Sequence, residues 1–83
     1  SLAAPVREQP EAAVAMKRRL ERVADAVERL PAAQREAFLL HEEGELTLEE
    51  IAELTGVGRE TAKSRLRYAL VRLRADLAGE AEP

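Results

Sequence analysis

The sequence predicts an all-α fold, a small four-helix domain that contains a helix-turn-helix, winged-helix-like in plan. Three observations carry that expectation. Alanine, leucine, glutamate and arginine dominate, and Phe38 and Tyr68 are the sole aromatic residues, a composition that favours helix over sheet. Apolar residues recur at three- and four-residue spacing and not at two. Capping residues and glycines interrupt the chain where helices would begin and end. With 83 residues, one domain at most is available. A chain this short buries only about 60% of its unfolded surface, so its core is small.

Residues 1–10 read as a flexible linker bracketed by Pro5 and Pro10. The chain opens at Ser1 without a methionine, and we read it as a fragment of a longer protein. A helix is expected from about Glu11, with Val14, Leu20, Val23, Val27 and Leu30 inward and Pro31 as its stop. A second helix turns Ala37, Phe38 and Leu39 or Leu40 inward and ends near Glu43, with Gly44 expected in the left-handed terminal position. Thr47 and Glu50 then form a capping box. The short helix they open has Leu48, Ile51, Ala52 and Leu54 as its apolar face. Gly56 ends it, and Val57 plugs the core. A long helix runs from about Gly58 to about Leu77, with Ala62, Leu66, Ala69, Leu70, Leu73 and Leu77 inward. Residues 79–83 read as a frayed, disordered acidic tail, which leaves 11–78 as the folded domain. There is no internal repeat.

The formal net charge is −3, but it is unevenly spread. Residues 1–41 carry about +1, residues 42–54 carry −6, residues 55–74 carry +5 and the remainder −3. The basic segment is the long helix. Binding to nucleic acid depends on the potential at the contact face more than on the total.

The informative stretch is residues 46–70. A short capped helix, a glycine turn and a longer helix make the helix-turn-helix plan. On a helical wheel centred on Leu66 and Leu73, the outward face holds Glu60, Thr61, Ser64, Arg67 and Tyr68, with Lys63 on one shoulder and Arg65 on the other. The first turns of such a helix enter the major groove. Lysine or arginine there can pair with guanine, serine and threonine with bases or phosphates, and Glu60 with a cytosine amino group. Thr47 and the start of the short helix are candidates for a phosphate contact.

These residues resemble region 4 of the sigma-70 family, of the extracytoplasmic-function type. The likeness rests on Leu30-Pro31, Gln34-Arg35, Phe38, the run from Leu46 through Ala52, Gly56-Val57, and the run from Glu60 through Leu66. It covers roughly residues 26–77. Two positions depart from the usual pattern: Glu60 stands where glycine is common and Ala62 where valine is common. The resemblance implies a bacterial, cytoplasmic transcription initiation factor that directs RNA polymerase to promoters. Its last helix would read double-stranded DNA at the −35 element. Its other surfaces would dock on the flap of the polymerase β subunit and be covered by an anti-sigma factor. By position, Lys63, Ser64 and Arg67 match base- and backbone-contacting residues. Arg59 and Thr61 are then phosphate contacts, and Arg35 a backbone contact from the preceding helix. A monomer is expected.

Several features have plainer readings. Arg65 is read either as a phosphate contact or as an ion-pair partner of Glu49 or Glu50. Tyr68 is read as a partly buried aromatic near Leu40, with stacking on a sugar as the alternative. Arg72 and Arg74 read as a solvated face, with DNA contact as the alternative. The cluster Lys17, Arg18, Arg19 and Arg22 and the glutamates of residues 42–54 read as solvated faces, with contact to polymerase or an inhibitor as the alternative. His41 has no second ligand at metal spacing. Glu42 and Glu43 point about 100° apart on a helix and make no acid–base pair. Gly56 and Gly58 match neither nucleotide-binding glycine pattern. No nucleophile–base pair is present, so neither an enzyme nor a cofactor is expected. No apolar run approaches the roughly 20 residues of a membrane span. Two other functions remain: the output domain of a response regulator, which would dimerise, and a protein-binding module whose basic helix meets an acidic partner.

Overall fold

A computed structural model describes residues 10–81. Most of the expected linker, residues 1–9, and the last two residues of the acidic tail lie outside the described residues. Four helices follow in order: α1 (Pro10–Glu28), α2 (Ala32–Glu42), α3 (Leu48–Thr55) and α4 (Arg59–Ala81). Among the described residues there is no strand, and hence no wing.

Each boundary has a local cause. Pro10, expected at the end of the linker, is the first residue of α1, a position where its missing N–H costs nothing. At the other end, the Leu30 N–H turns back to the Val27 carbonyl at 3.1 Å. Pro31 then offers no N–H to continue the helix. Helix α2 closes differently from the expectation. The Leu39 carbonyl accepts from both Glu43 and Gly44, at 2.8 and 3.2 Å. That extra hydrogen bond delays the reversal by one residue, so Glu45 takes the left-handed conformation (φ 56°) and Gly44 does not. Gly44 is needed for another reason: a Cβ there would lie 2.7 Å from the Leu40 carbonyl oxygen. Gly56 does end α3 in the left-handed region, at φ 74°. Helix α4 continues through Gly79 to Ala81, past the expected fraying point.

Two buried clusters share α4. Ala26 and Leu30, at the end of α1 and just beyond it, meet Ala69 and Leu73, with Val27, Phe38 and Leu77 packed around them. Ala37, Ile51, Ala52 and Ala62 form the second, walled by Leu40, Leu46 and Val57. Burying Ile51 is worth roughly 1.5–3 kcal/mol. Ala37, Ala52 and Ala62 are small where α2, α3 and α4 converge, which lets the backbones approach closely.

Two expected core faces are corrected. Leu54 is 66% exposed, because it falls to the side of the stripe formed by Leu48, Ile51 and Ala52. In α1, Val14, Leu20 and Val23 are exposed, as is Met16. Helix α2 has 11 residues against 19 in α1, too few to cover the N-terminal half of its neighbour.

Candidate nucleic-acid interface

Helix α3 is the support on which the candidate site stands. The Glu50 N–H donates to Thr47 Oγ1 at 3.1 Å, and the Thr47 N–H donates to Glu50 Oε1 at 2.9 Å. The capping box therefore forms, and such a cap contributes about 1 kcal/mol. It also changes the reading of Thr47. Its hydroxyl and the Glu50 carboxylate already occupy the start of α3, so an incoming phosphate would meet a carboxylate there. Buried Ile51 and Ala52 then fix α3 against α2 and α4.

The rotation of α4 follows from its buried stripe. Ala62 and Ala69 are fully buried, Leu66 and Leu73 nearly so, and Leu70 and Leu77 partly. With that face inward, Glu60, Thr61, Lys63, Arg67 and Tyr68 are exposed, and Ser64 and Arg65 are half-buried. The chain thus presents one continuous polar surface from the first three turns of α4.

That surface has two unlike edges. On the α3 side, Lys63, Arg67 and Arg74 line a shallow depression with Leu48, Leu66 and Leu70. On the α2 side, Thr61, Ser64, Arg65 and Tyr68 line a cleft of about 360 Å³ with Pro31, Ala33 and Gln34. Arg65 thus faces α2 and not the glutamates of α3, which sets aside the ion-pair alternative with Glu49 or Glu50. Tyr68 is 54% exposed, beside Pro31 and Gln34, and not packed near Leu40. Its position diametrically across α4 from the buried stripe is the cause. The Arg67 guanidinium lies over its ring, 5.2 Å from the centroid, a cation–π contact that restrains Arg67 where it is exposed.

The residue that meets the carboxylates of α3 is Arg59. Its Nε donates to Glu49 Oε2 at 2.7 Å, and its Nη1 lies 3.6 Å from Glu60 Oε2. The hydrogen bond from Arg59 holds the Glu49 carboxyl below the usual carboxylate range, and Glu49 raises the Arg59 guanidinium in turn. Arg35 is also engaged. Its Nη1 donates to the Glu28 carbonyl at 3.0 Å and reaches the Leu30 carbonyl at 3.5 Å. It satisfies carbonyls that the end of α1 leaves open, so its first task is to join α1 to α2.

Of the candidate residues, the structure brings together Glu60, Thr61, Lys63, Ser64, Arg65, Arg67 and Tyr68. Arg59 is ion-paired at their edge, Thr47 is used in its cap, and Arg35 serves the α1–α2 joint. Two further residues join them: Arg74, for which the sequence offers DNA contact as the lesser alternative, and Gln34, which the sequence does not single out as a contact. Arg74 shares the edge of Lys63 and Arg67, and its spacing of seven residues from Arg67 is the signal for it. Gln34 reaches the cleft only because Pro31 starts α2 beside α4, which periodicity does not reveal.

Among the described residues, no group of three or more histidines, aspartates or glutamates is arranged to hold a metal ion. Among the same residues, no helix is long and apolar enough to cross a membrane.

Fold and surface together define a helix-turn-helix domain of the DNA-binding class. The family model described as "Sigma-70, region 4" matches residues 20–73. The chain belongs to that family, whose members are transcription initiation factors that recognise promoters. No match was found among curated proteins or among solved structures.

Proposed function

We propose that this chain is the region 4 domain of an extracytoplasmic-function-type sigma factor and that α4 reads the −35 element of promoters. Lys63 and Arg67 contact base edges from the α3-side edge of the helix, with Ser64 and Thr61 beside them. Arg65 and Gln34 face the sugar–phosphate backbone on the α2 side. Phosphate contacts supply most of the affinity, and the base contacts supply the discrimination. The observation that carries this reading is the rotation of α4: its buried stripe leaves Lys63 and Arg67 exposed on one edge.

The second surface is an apolar groove of about 490 Å³ between α1 and α2, floored by Leu20, Val23, Val27, Phe38 and Leu39. In this reading it takes the flap of the polymerase β subunit, and an anti-sigma factor would cover it. The domain acts in the bacterial cytoplasm as one copy per polymerase, and it performs no catalysis. Sedimentation of the chain separates this from a response-regulator output domain, which would dimerise.

Titration of duplexes at several salt concentrations tests the DNA reading. Lys63→Ala or Arg67→Ala is expected to cost about 1–3 kcal/mol on the preferred duplex and to relax one base position. Equal loss on every duplex would remove both residues from base reading.

A further inference from the structure

Arg59 is the first residue of α4, and side chains at a helix start tilt toward its N-terminus, the end that meets DNA in a helix-turn-helix. A free arginine there would be a phosphate contact. In this chain the guanidinium is bracketed by two carboxylates, Glu49 at 2.7 Å and Glu60 at 3.6 Å. Glu49 comes from the first turn of α3, so the pair bridges the two helices of the motif. Both partners are exposed, with side-chain exposures of 48% for Arg59 and 66% for Glu49. Nothing encloses the pair, and exchange of one anion for another on Arg59 needs no unpacking.

We propose that Glu49 is an intramolecular competitor for the DNA backbone: its carboxylate occupies on Arg59 the place that a phosphate takes in the complex, and the pair opens when duplex binds. The inference rests on the DNA-binding reading under Proposed function and adds a residue that lowers affinity. A carboxylate and a phosphate oxygen present the same acceptor to a guanidinium. Only the phosphate releases condensed counterions when it is neutralised. The free domain therefore holds one of its cations in reserve, and every duplex must displace Glu49 to use it. The effect is blind to base sequence. It lowers binding to all duplexes alike, so sites that also satisfy Lys63 and Arg67 are the ones retained in a crowded background.

The test is a double-mutant cycle with the 83-residue chain, using Glu49→Gln, Arg59→Gln and the pair. Binding of labelled duplexes, one preferred and one scrambled, is followed over a salt series, with circular dichroism to confirm the helical fold. Glu49→Gln is expected to tighten binding about two- to fivefold on both duplexes, on the scale of an exposed ion pair. The slope of log affinity against log salt should change by less than about 0.9, one phosphate's worth, because Arg59 neutralises the same phosphate in both complexes once the pair has opened. In the Arg59→Gln background the gain should vanish. Weaker or unchanged binding by Glu49→Gln would overturn the proposal, and so would a gain that persists without Arg59. Absence of salt-dependent duplex binding by the unaltered chain would overturn the DNA reading and this inference with it. Salt-dependent binding that ignores Glu49→Gln overturns this inference alone.

Discussion

Helices α1 and α4 are both long and both carry apolar residues at helical spacing, yet they end in opposite states. The stripe of α4 is covered from Ala62 to Leu77 because α1, α2 and α3 all pack on it. The stripe of α1 is covered only near its end, at Ala26, Val27 and Leu30, while Met16, Leu20 and Val23 stay exposed. The difference lies in the neighbours, since two short helices cannot cover two long ones along their whole lengths. A covered stripe fixes the rotation of a helix and so aims the opposite face. A bare stripe is itself a surface for something else to cover. In this molecule the first arrangement aims Lys63 and Arg67 outward, and the second leaves the groove that we assign to polymerase.

Stability measurements can break that contrast. The largest expected effect is Ile51→Ala, which empties the centre of the second cluster and should cost about 2–5 kcal/mol in urea or thermal unfolding. Leu20→Ala on α1 is the matching control, and it should stay within about 0.5 kcal/mol. Equal losses would mean that the N-terminal half of α1 is packed in the isolated domain, and the contrast between the two helices would fall. Next comes Thr47→Ala, which removes one half of the capping box and should cost about 1 kcal/mol of stability.

The smallest effect concerns the exposed Arg59–Glu49 pair and its dependence on pH. The Glu49 carboxyl is depressed in the folded state. Whatever stability the pair adds is therefore fully present above the unfolded glutamate value and is lost as pH falls through the lower, folded value. The difference in melting temperature between the unaltered chain and Glu49→Gln should be constant from about pH 8 to about pH 5 and shrink below the usual carboxylate range. A difference that changes around neutrality would point to another titrating group.

Much of this is legible in the residues because local chemistry dictates it. The capping box of Thr47 and Glu50, the left-handed Gly56 and the inward set of α4 each depend on a few neighbouring positions, and each forms as expected. What escapes depends on where another helix lies. Arg65 and Lys63 are symmetric about the stripe of α4, so a wheel alone does not say which one faces α3. Glu45, and not Gly44, takes the left-handed position because one extra hydrogen bond on the Leu39 carbonyl lengthens the end of α2. The family likeness leads one to expect Arg35 on DNA, whereas the open carbonyls at the end of α1 engage it. In each case the missing information is how one segment settles against the next.

The central claim is that the face of α4 bearing Lys63 and Arg67 reads duplex sequence. Its most direct test is selection from a random double-stranded library by the full-length factor with core polymerase, run in parallel with a Lys63→Ala, Arg67→Ala variant. The account predicts one enriched short motif, lost in the variant while its fold and its polymerase binding are retained. Enrichment that is indifferent to the two substitutions would contradict it.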